Sequence, residues 1–283
     1  MYRFTLGHAA ITLINAGDIR ADLRAWFGLP LAESQPSQDS VQPVAVPMQN
    51  VHIALGQASV LVDASRWAFA PDSEFYLPGY SPPPTLATQL AAAGVVSGEI
   101  THVVITHAHF DHFNGLADPT DGDGKPCFPN ARHYLSQADW ESADIQSALR
   151  HPHSLTDRTL GMLHRRGSLA LVNGDLGIAD GIAILAAPGE TPGHQIVRVQ
   201  SEGKVLYCIG DLYHHPLEVE RPDRQVWWAD AKANRASRER MVSAALREDA
   251  LVIAAHIRGL GKLRQTADGV RWVTVDVATR QGT

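Results

Sequence analysis

The chain has 283 residues, 45% of them hydrophobic and 19% charged, with a formal net charge of −6. That composition suits a globular protein with a substantial core, and the acidic balance argues against a nucleic-acid partner, which calls for a basic face. No run of about 18 apolar residues is present to span a membrane, the first residues lack a basic stretch followed by an apolar one, and two cysteines are too few for a disulfide framework. A cytoplasmic location is the expectation. The anomaly is 14 histidines, a residue that titrates near neutrality and often ligates metals.

In chain order, residues 4–15 alternate and read as one or two strands, and 20–28 as a short irregular or helical stretch. Residues 31–47 are polar and interrupted by proline, which predicts a loop. Two strands over 51–55 and 59–63 flank a hairpin signal at Gly56-Gln57-Ala58. Residues 66–84 carry five prolines among aromatics, a long loop expected either to pack on itself or to wall a pocket. A helix over 86–93 ends at Gly94.

The segment 100–106 is an apolar strand. A strand at 132–136 precedes a helix over 137–149 and a polar helical insert over 151–166. Strands follow at 169–172, 182–186, 196–200 and 205–209. A long helix covers 231–247, and strands at 251–255 and 270–275 close the chain. Strands dominate without a strict βαβ rhythm, so an α+β sandwich is favoured over a doubly wound sheet. Short linkers and no internal repeat predict one domain over 1–283.

Chemistry concentrates after the strand 100–106, in His107-Ala108-His109-Phe110-Asp111-His112. Four potential ligands fall within six residues. Alternation sends His107 and His109 to one side, and a turn brings Asp111 and His112 to a neighbouring point. Imidazole and carboxylate suit zinc and similar divalent ions. The pattern arises by chance on the order of a few times per thousand chains of this composition. Strand alternation points His102 away, and His8, His52, His133, His151, His153, His164 and His215 are read as ordinary surface or core histidines.

This run resembles the signature of the metallo-β-lactamase superfamily, whose fold is a four-layer αββα sandwich with metals between the edges of two sheets. The resemblance implies three further ligands at strand ends. Ala187-Pro188-Gly189-Glu190-Thr191-Pro192-Gly193-His194 resembles the family's turn ending in Gly-His, so His194 would join His107 and His109 on the first metal. Ile209-Gly210-Asp211 implies Asp211 as the bridge. Ile253-Ala254-Ala255-His256 implies His256 beside Asp111 and His112 on the second metal. Two divalent ions are thereby implied, zinc first, with iron, manganese or cobalt as alternatives. The implied chemistry is attack of a metal-bridging hydroxide on an ester-like bond, with Asp111 moving the proton.

Within the superfamily, Asp211 stands where the main zinc β-lactamases place cysteine. The extra domains of the RNA-processing and flavin-dependent branches, and the helical extension of glyoxalase II, are not visible. The stretches 210–216, 226–240 and 255–261 resemble the lactonase and methyl-parathion-hydrolase-like branch. That implies hydrolysis of a lactone or related carboxylic ester, with phosphotriester or aryl-ester hydrolysis as the alternative and a non-hydrolytic metal-binding protein as a third reading. The lactonases carry a tyrosine three residues after the bridging aspartate. Here that offset holds His214, with Tyr213 one residue earlier, and both are candidates to assist the substrate carbonyl. Phe69, Phe75, Tyr76, Phe110, Phe113 and Trp140 are candidate pocket walls. A homodimer through the loop 31–47 is a further implication of the resemblance.

Overall fold

The computed structural model describes residues 1–28, 43–118 and 124–276. Among these, the first half of the chain forms β1 (Tyr2–Leu6), β2 (Ala9–Ala21), α1 (Leu23–Trp26), β3 (Val44–Leu55), β4 (Ala58–Val62), α2 (Leu86–Ala92), β5 (His102–Val104), α3 (Phe110–Phe113), β6 (Arg132–Ser136), α4 (Gln137–Trp140), α5 (Ala143–Leu149), α6 (Met162–Arg165) and β7 (Leu169–Val172). The second half forms β8 (Leu176–Ala179), β9 (Ile182–Ala186), β10 (Gln195–Ser201), β11 (Lys204–Cys208), α7 (Pro216–Glu220), α8 (Ala231–Arg247), β12 (Leu251–Ile253), β13 (Gly261–Thr266) and β14 (Gly269–Thr274).

Each half contributes one seven-stranded sheet, in the orders β1-β2-β3-β4-β5-β6-β7 and β14-β13-β12-β11-β10-β9-β8. The first is antiparallel through β4 and parallel from β4 to β7. In the second, only β11 and β12 run parallel.

The layers follow from alternation along each strand. Val60, Val62 and Val104 point into the space between the sheets, where they meet Val197, Val199, Leu206 and Cys208. Their neighbours Leu61, Val103 and Ile105 point the other way, onto Leu90, Phe113 and Leu163. Ile196, Tyr207 and Val252 likewise face Met241 and Ala245 of α8. Three apolar interfaces separate four layers, the αββα sandwich that was expected. Strands buried on both faces explain why 100–106 and 205–209 read as continuous apolar runs rather than alternating ones.

Several boundaries differ from the sequence reading. β2 continues to Ala21 because Asn15 and Gly17, which resemble turn residues, form a bulge against β3: Gly17 sits at φ +125°, its N–H donates to Asn15 Oδ1, and Trp67 packs where a side chain would be. The expected loop 31–47 gives way to strand at Val44; Pro47 is carried in β3 opposite Asp18, and residues 29–42 lie outside the described part. The helix over 137–149 is two, α4 and α5, because Ser142 accepts the N–H of Ile145 and starts a new helix. β8, β13 and α7 lacked a clear pattern. No helix among the described residues is long and apolar enough to cross a membrane.

Candidate metal centre

The candidate residues converge at one edge of the sandwich. The segment after β5 delivers Thr106 to His112, the turn between β9 and β10 delivers Glu190 and His194, and the ends of β11 and β12 deliver Asp211 and His256. The two central strands β5 and β11 are buried and hydrogen-bonded on both sides, so these side chains project from a rigid edge.

Around Asp211 Oδ2 lie His256 Nε2 at 3.2 Å, His112 Nε2 at 3.3 Å and His107 Nε2 at 3.7 Å. Asp111 Oδ2 is 3.4 Å from His256 Nε2 and 3.6 Å from His112 Nε2. His107 Nε2 meets His109 Nδ1 at 2.9 Å. Two groups have donor atoms within 4.8 Å of one another: His107, His109, Glu190 and Asp211, and Asp111, His112 and His256. His194 lies beside His107, ring centroids 5.2 Å apart, and its Nε2 accepts the Asp211 N–H at 3.2 Å.

The far side of three of the rings is tied down. His112 Nδ1 lies 2.9 Å from Asp63 Oδ2, His256 Nδ1 lies 2.8 Å from the Pro47 carbonyl, and His194 Nδ1 lies 3.0 Å from the Ala187 carbonyl. A carbonyl or carboxylate there makes Nδ1 the donor and leaves the Nε2 lone pair facing the site, the arrangement that orients imidazole ligands.

Asp63 was not anticipated from sequence. It also accepts the Thr106 N–H at 2.7 Å and the Thr106 hydroxyl at 2.9 Å, fixing the start of the histidine run. Asp139, likewise unanticipated and 1% exposed, accepts the N–H groups of Ala108 and Gly193 and the Thr191 hydroxyl, joining the run to the His194 turn. At Gly193 a Cβ would lie 2.6 Å from Asp139 Oδ1. Only glycine permits that approach.

The donor set fits two cations. His112 Nε2, Asp211 Oδ1 and Glu190 Oε2 are buried yet make no hydrogen bond, which is costly unless another partner supplies the missing interaction. Burial opposes ionisation of Asp211, but His112 and His256 outweigh it and hold the carboxyl well below its usual range. Asp111 is held down to about 2 against burial by the same two histidines. Burial disfavours charge on His256, yet Asp211 and Asp111 push it up to about 9. Two carboxylates held ionised in a buried site supply the negative charge that a cation requires.

The donors open into a cavity of about 840 Å³. Phe69, Phe75 and Phe110 form one wall as expected, and Trp26, Trp227 and Trp228, which the sequence did not single out, form another. Three other candidate aromatics lie elsewhere. Phe113 is in the core, Trp140 stacks on His164 at 4.6 Å, and Tyr76 packs on Trp67.

His214 lines the cavity, 3.4 Å from Asp211 Oδ2, stacked nearly parallel to His256. Tyr213 does not reach it: the ring is buried against α8 under the Arg238 guanidinium, 4.5 Å from its centroid. In the turn after β11, Asp211 and His214, three residues apart, both face the site, and Tyr213 between them faces α8.

The sequence profile of the Metallo-beta-lactamase superfamily matches residues 53–256. The chain belongs to this superfamily. A probable metallo-hydrolase of Mycobacterium tuberculosis is 28% identical over 158 residues, 49% of this chain and 45% of that one, so the chain spans about half the length of that relative. An N-acyl homoserine lactonase of Bacillus cereus is 24% identical over 64% of this chain and 65% of its own. Among solved structures, the dizinc quorum-quenching lactonase AidC, in complex with the product N-hexnoyl-L-homoserine, superposes with a TM-score of 0.78 over 98% of both chains at 21% identity. The hydrolase AbOPH superposes with a TM-score of 0.76, again over 98% of both, at 17% identity. These structures share the metallo-β-lactamase fold with this chain.

Proposed function

We propose that the protein is a dinuclear-metal hydrolase of a lactone or related carboxylic ester. The observation that carries this reading is the convergence of His107, His109, Asp111, His112, His194, Asp211 and His256 at the floor of an aromatic-walled cavity. His107, His109 and His194 are assigned to one ion, Asp111, His112 and His256 to the other, with Asp211 between them. Zinc is the expected metal, consistent with the dizinc relative.

When bound, two divalent ions supply a water acidic enough to ionise near neutral pH and a Lewis acid for the substrate oxygen that gains charge. The protein's own groups do the rest. The six cavity aromatics exclude water and seat an apolar acyl chain or ring. His214 Nε2 faces the donors and is placed to donate a hydrogen bond to the substrate carbonyl oxygen. Burial disfavours its charge, but Glu190, with Asp211 and Glu218, outweighs burial and raises its pKa well above the usual imidazole value. Asp111, which lines the cavity, is placed to hold the proton delivered to the leaving oxygen.

Phosphotriester or aryl-ester hydrolysis is the second reading. It is favoured by one observation: the wall facing Asp211 carries an imidazole, and Tyr213 presents no phenol there. A panel of lactones of graded acyl length, run beside an aryl phosphotriester on protein of measured metal content, tests both. Lactone turnover exceeding phosphotriester turnover in kcat/KM supports the primary reading, and the reverse order the second. No turnover of either by protein holding two metals refutes both and leaves a non-hydrolytic metal-binding role.

A further inference from the structure

One buried acid in the cavity has no part in the ligand assignment above. Glu190 stands in the turn Gly189-Glu190-Thr191-Pro192-Gly193-His194, four residues before His194, and is 3% exposed. Its Oε1 lies 3.4 Å from His109 Nδ1 and accepts the Trp228 indole N–H at 2.5 Å. Oε2 is buried with no hydrogen-bond partner. With His214 Nε2 3.5 Å from Oε1, it is Oε2 that lacks a partner, which is costly for a buried carboxylate unless a further group supplies one.

We infer that Glu190 is an eighth protein ligand, completing the donor set of the metal held by His107 and His109. The inference rests on the two-metal reading. Two atoms bound to one tetrahedral ion at 2.0–2.1 Å stand about 3.3 Å apart, and the Glu190–His109 separation of 3.4 Å matches. Glu190, His107, His109 and Asp211 all present donors within 4.8 Å of one another. Trp228 fixes the carboxylate's orientation from behind.

The consequence concerns charge and metal choice. Two divalent ions with Asp111 and Asp211 alone carry a net charge of about +2 before any water ionises; a third carboxylate lowers this to about +1. Oxygen donors favour harder ions, so Glu190 shifts the first position toward manganese or ferrous iron relative to the same position without it.

The full chain, loaded separately with zinc and with manganese, tests this by crystallography and by chelator competition. A Glu190 oxygen within about 2.2 Å of a metal is the expected structure. Glu190→Gln keeps the volume and an acceptor for Trp228. It should weaken the first metal by about 100-fold or more, beyond what loss of an outer hydrogen bond produces, and leave the second metal unchanged. Glu190→His should raise the zinc-over-manganese preference. The inference is overturned if wild-type protein holds two metals with both Glu190 oxygens beyond 3 Å. It is equally overturned if Glu190→Gln keeps both affinities within about twofold. In either case Glu190 serves only as the partner of His214, 3.5 Å away. Wild-type protein that cannot hold two metals overturns the two-metal reading itself, and this inference with it.

Discussion

At the scale of single residues, the assignments make separable predictions. Asp211 lies against four histidines of the site, so Asp211→Ala should reduce bound metal below two per chain and lower kcat/KM by about 10³-fold or more. Metal analysis of the purified variant, paired with the substrate panel, checks it. Asp63 acts one step back. Asp63→Asn loses the charge behind His112 Nδ1 while keeping most of the volume, and a drop of about 10–100-fold in affinity for one metal is expected. Retained affinity would show that the His112 ring needs no carboxylate to orient it. The histidine run itself was legible because its donors are local: strand, turn and short helix α3 present them whatever else the chain does. Asp63 and Asp139 were not legible. A lone aspartate at a strand end or helix start reads as a turn or cap, and only the contact across 43 residues to Thr106 or 54 to Gly193 reveals its part.

At the scale of elements, α8 braces the site from outside. Arg238, 5% exposed, donates to Glu218 and to the carbonyls of Leu212 and Arg224, while Glu218 accepts the N–H groups of His214 and His215. This buried pair holds the chain that carries His214. Removing one partner strands the other's charge, so Arg238→Met should destabilise the fold by about 3–5 kcal/mol, read from chemical denaturation. Charged residues on a helix ordinarily signal a solvated face, and the Arg-rich stretch gives no sign that Arg238 alone turns inward. The joint between β9 and β10 is equally constrained. Gly193→Ala would drive a Cβ into Asp139 and Ser136 Oγ, both 2.6 Å away. Displacement of His194 and loss of metal should accompany the loss of stability.

At the scale of the molecule, stability should follow both metal and pH. Ions that bind only the folded chain stabilise it by mass action. Chelation should therefore lower Tm by roughly 10 °C, and adding zinc should restore it. An unchanged Tm would mean the donor cluster is filled by something other than metal or by nothing.

The pH dependence has a separate source in the first sheet. Burial lowers His52 and His133 from 6.5 to about 4 in the folded protein. Both fold as neutral rings, so their contribution is present above pH 6.5 and is lost as pH falls toward 4. The loss is at most about 3 kcal/mol each. Denaturation at pH 7.5, 5.5 and 4.5 should show this decline, and His52→Asn should flatten it.

The sequence by itself determined the order and chemistry of the candidate donors, because each stands beside a strand whose apolar run is local information. It also pointed to an α+β sandwich, since strands dominate without a strict βαβ rhythm; the four-layer αββα arrangement was implied only by the resemblance of the histidine run to the superfamily signature. Tertiary structure alone decided which aromatics face the cavity. It sent Tyr213 into the core and His214 to the wall, drew Trp227 and Trp228 in from a loop, and set Glu190 among the histidines. Those outcomes depend on strand direction, on a bulge at Gly17 and on packing between distant segments. None of these leaves a periodic trace in the chain.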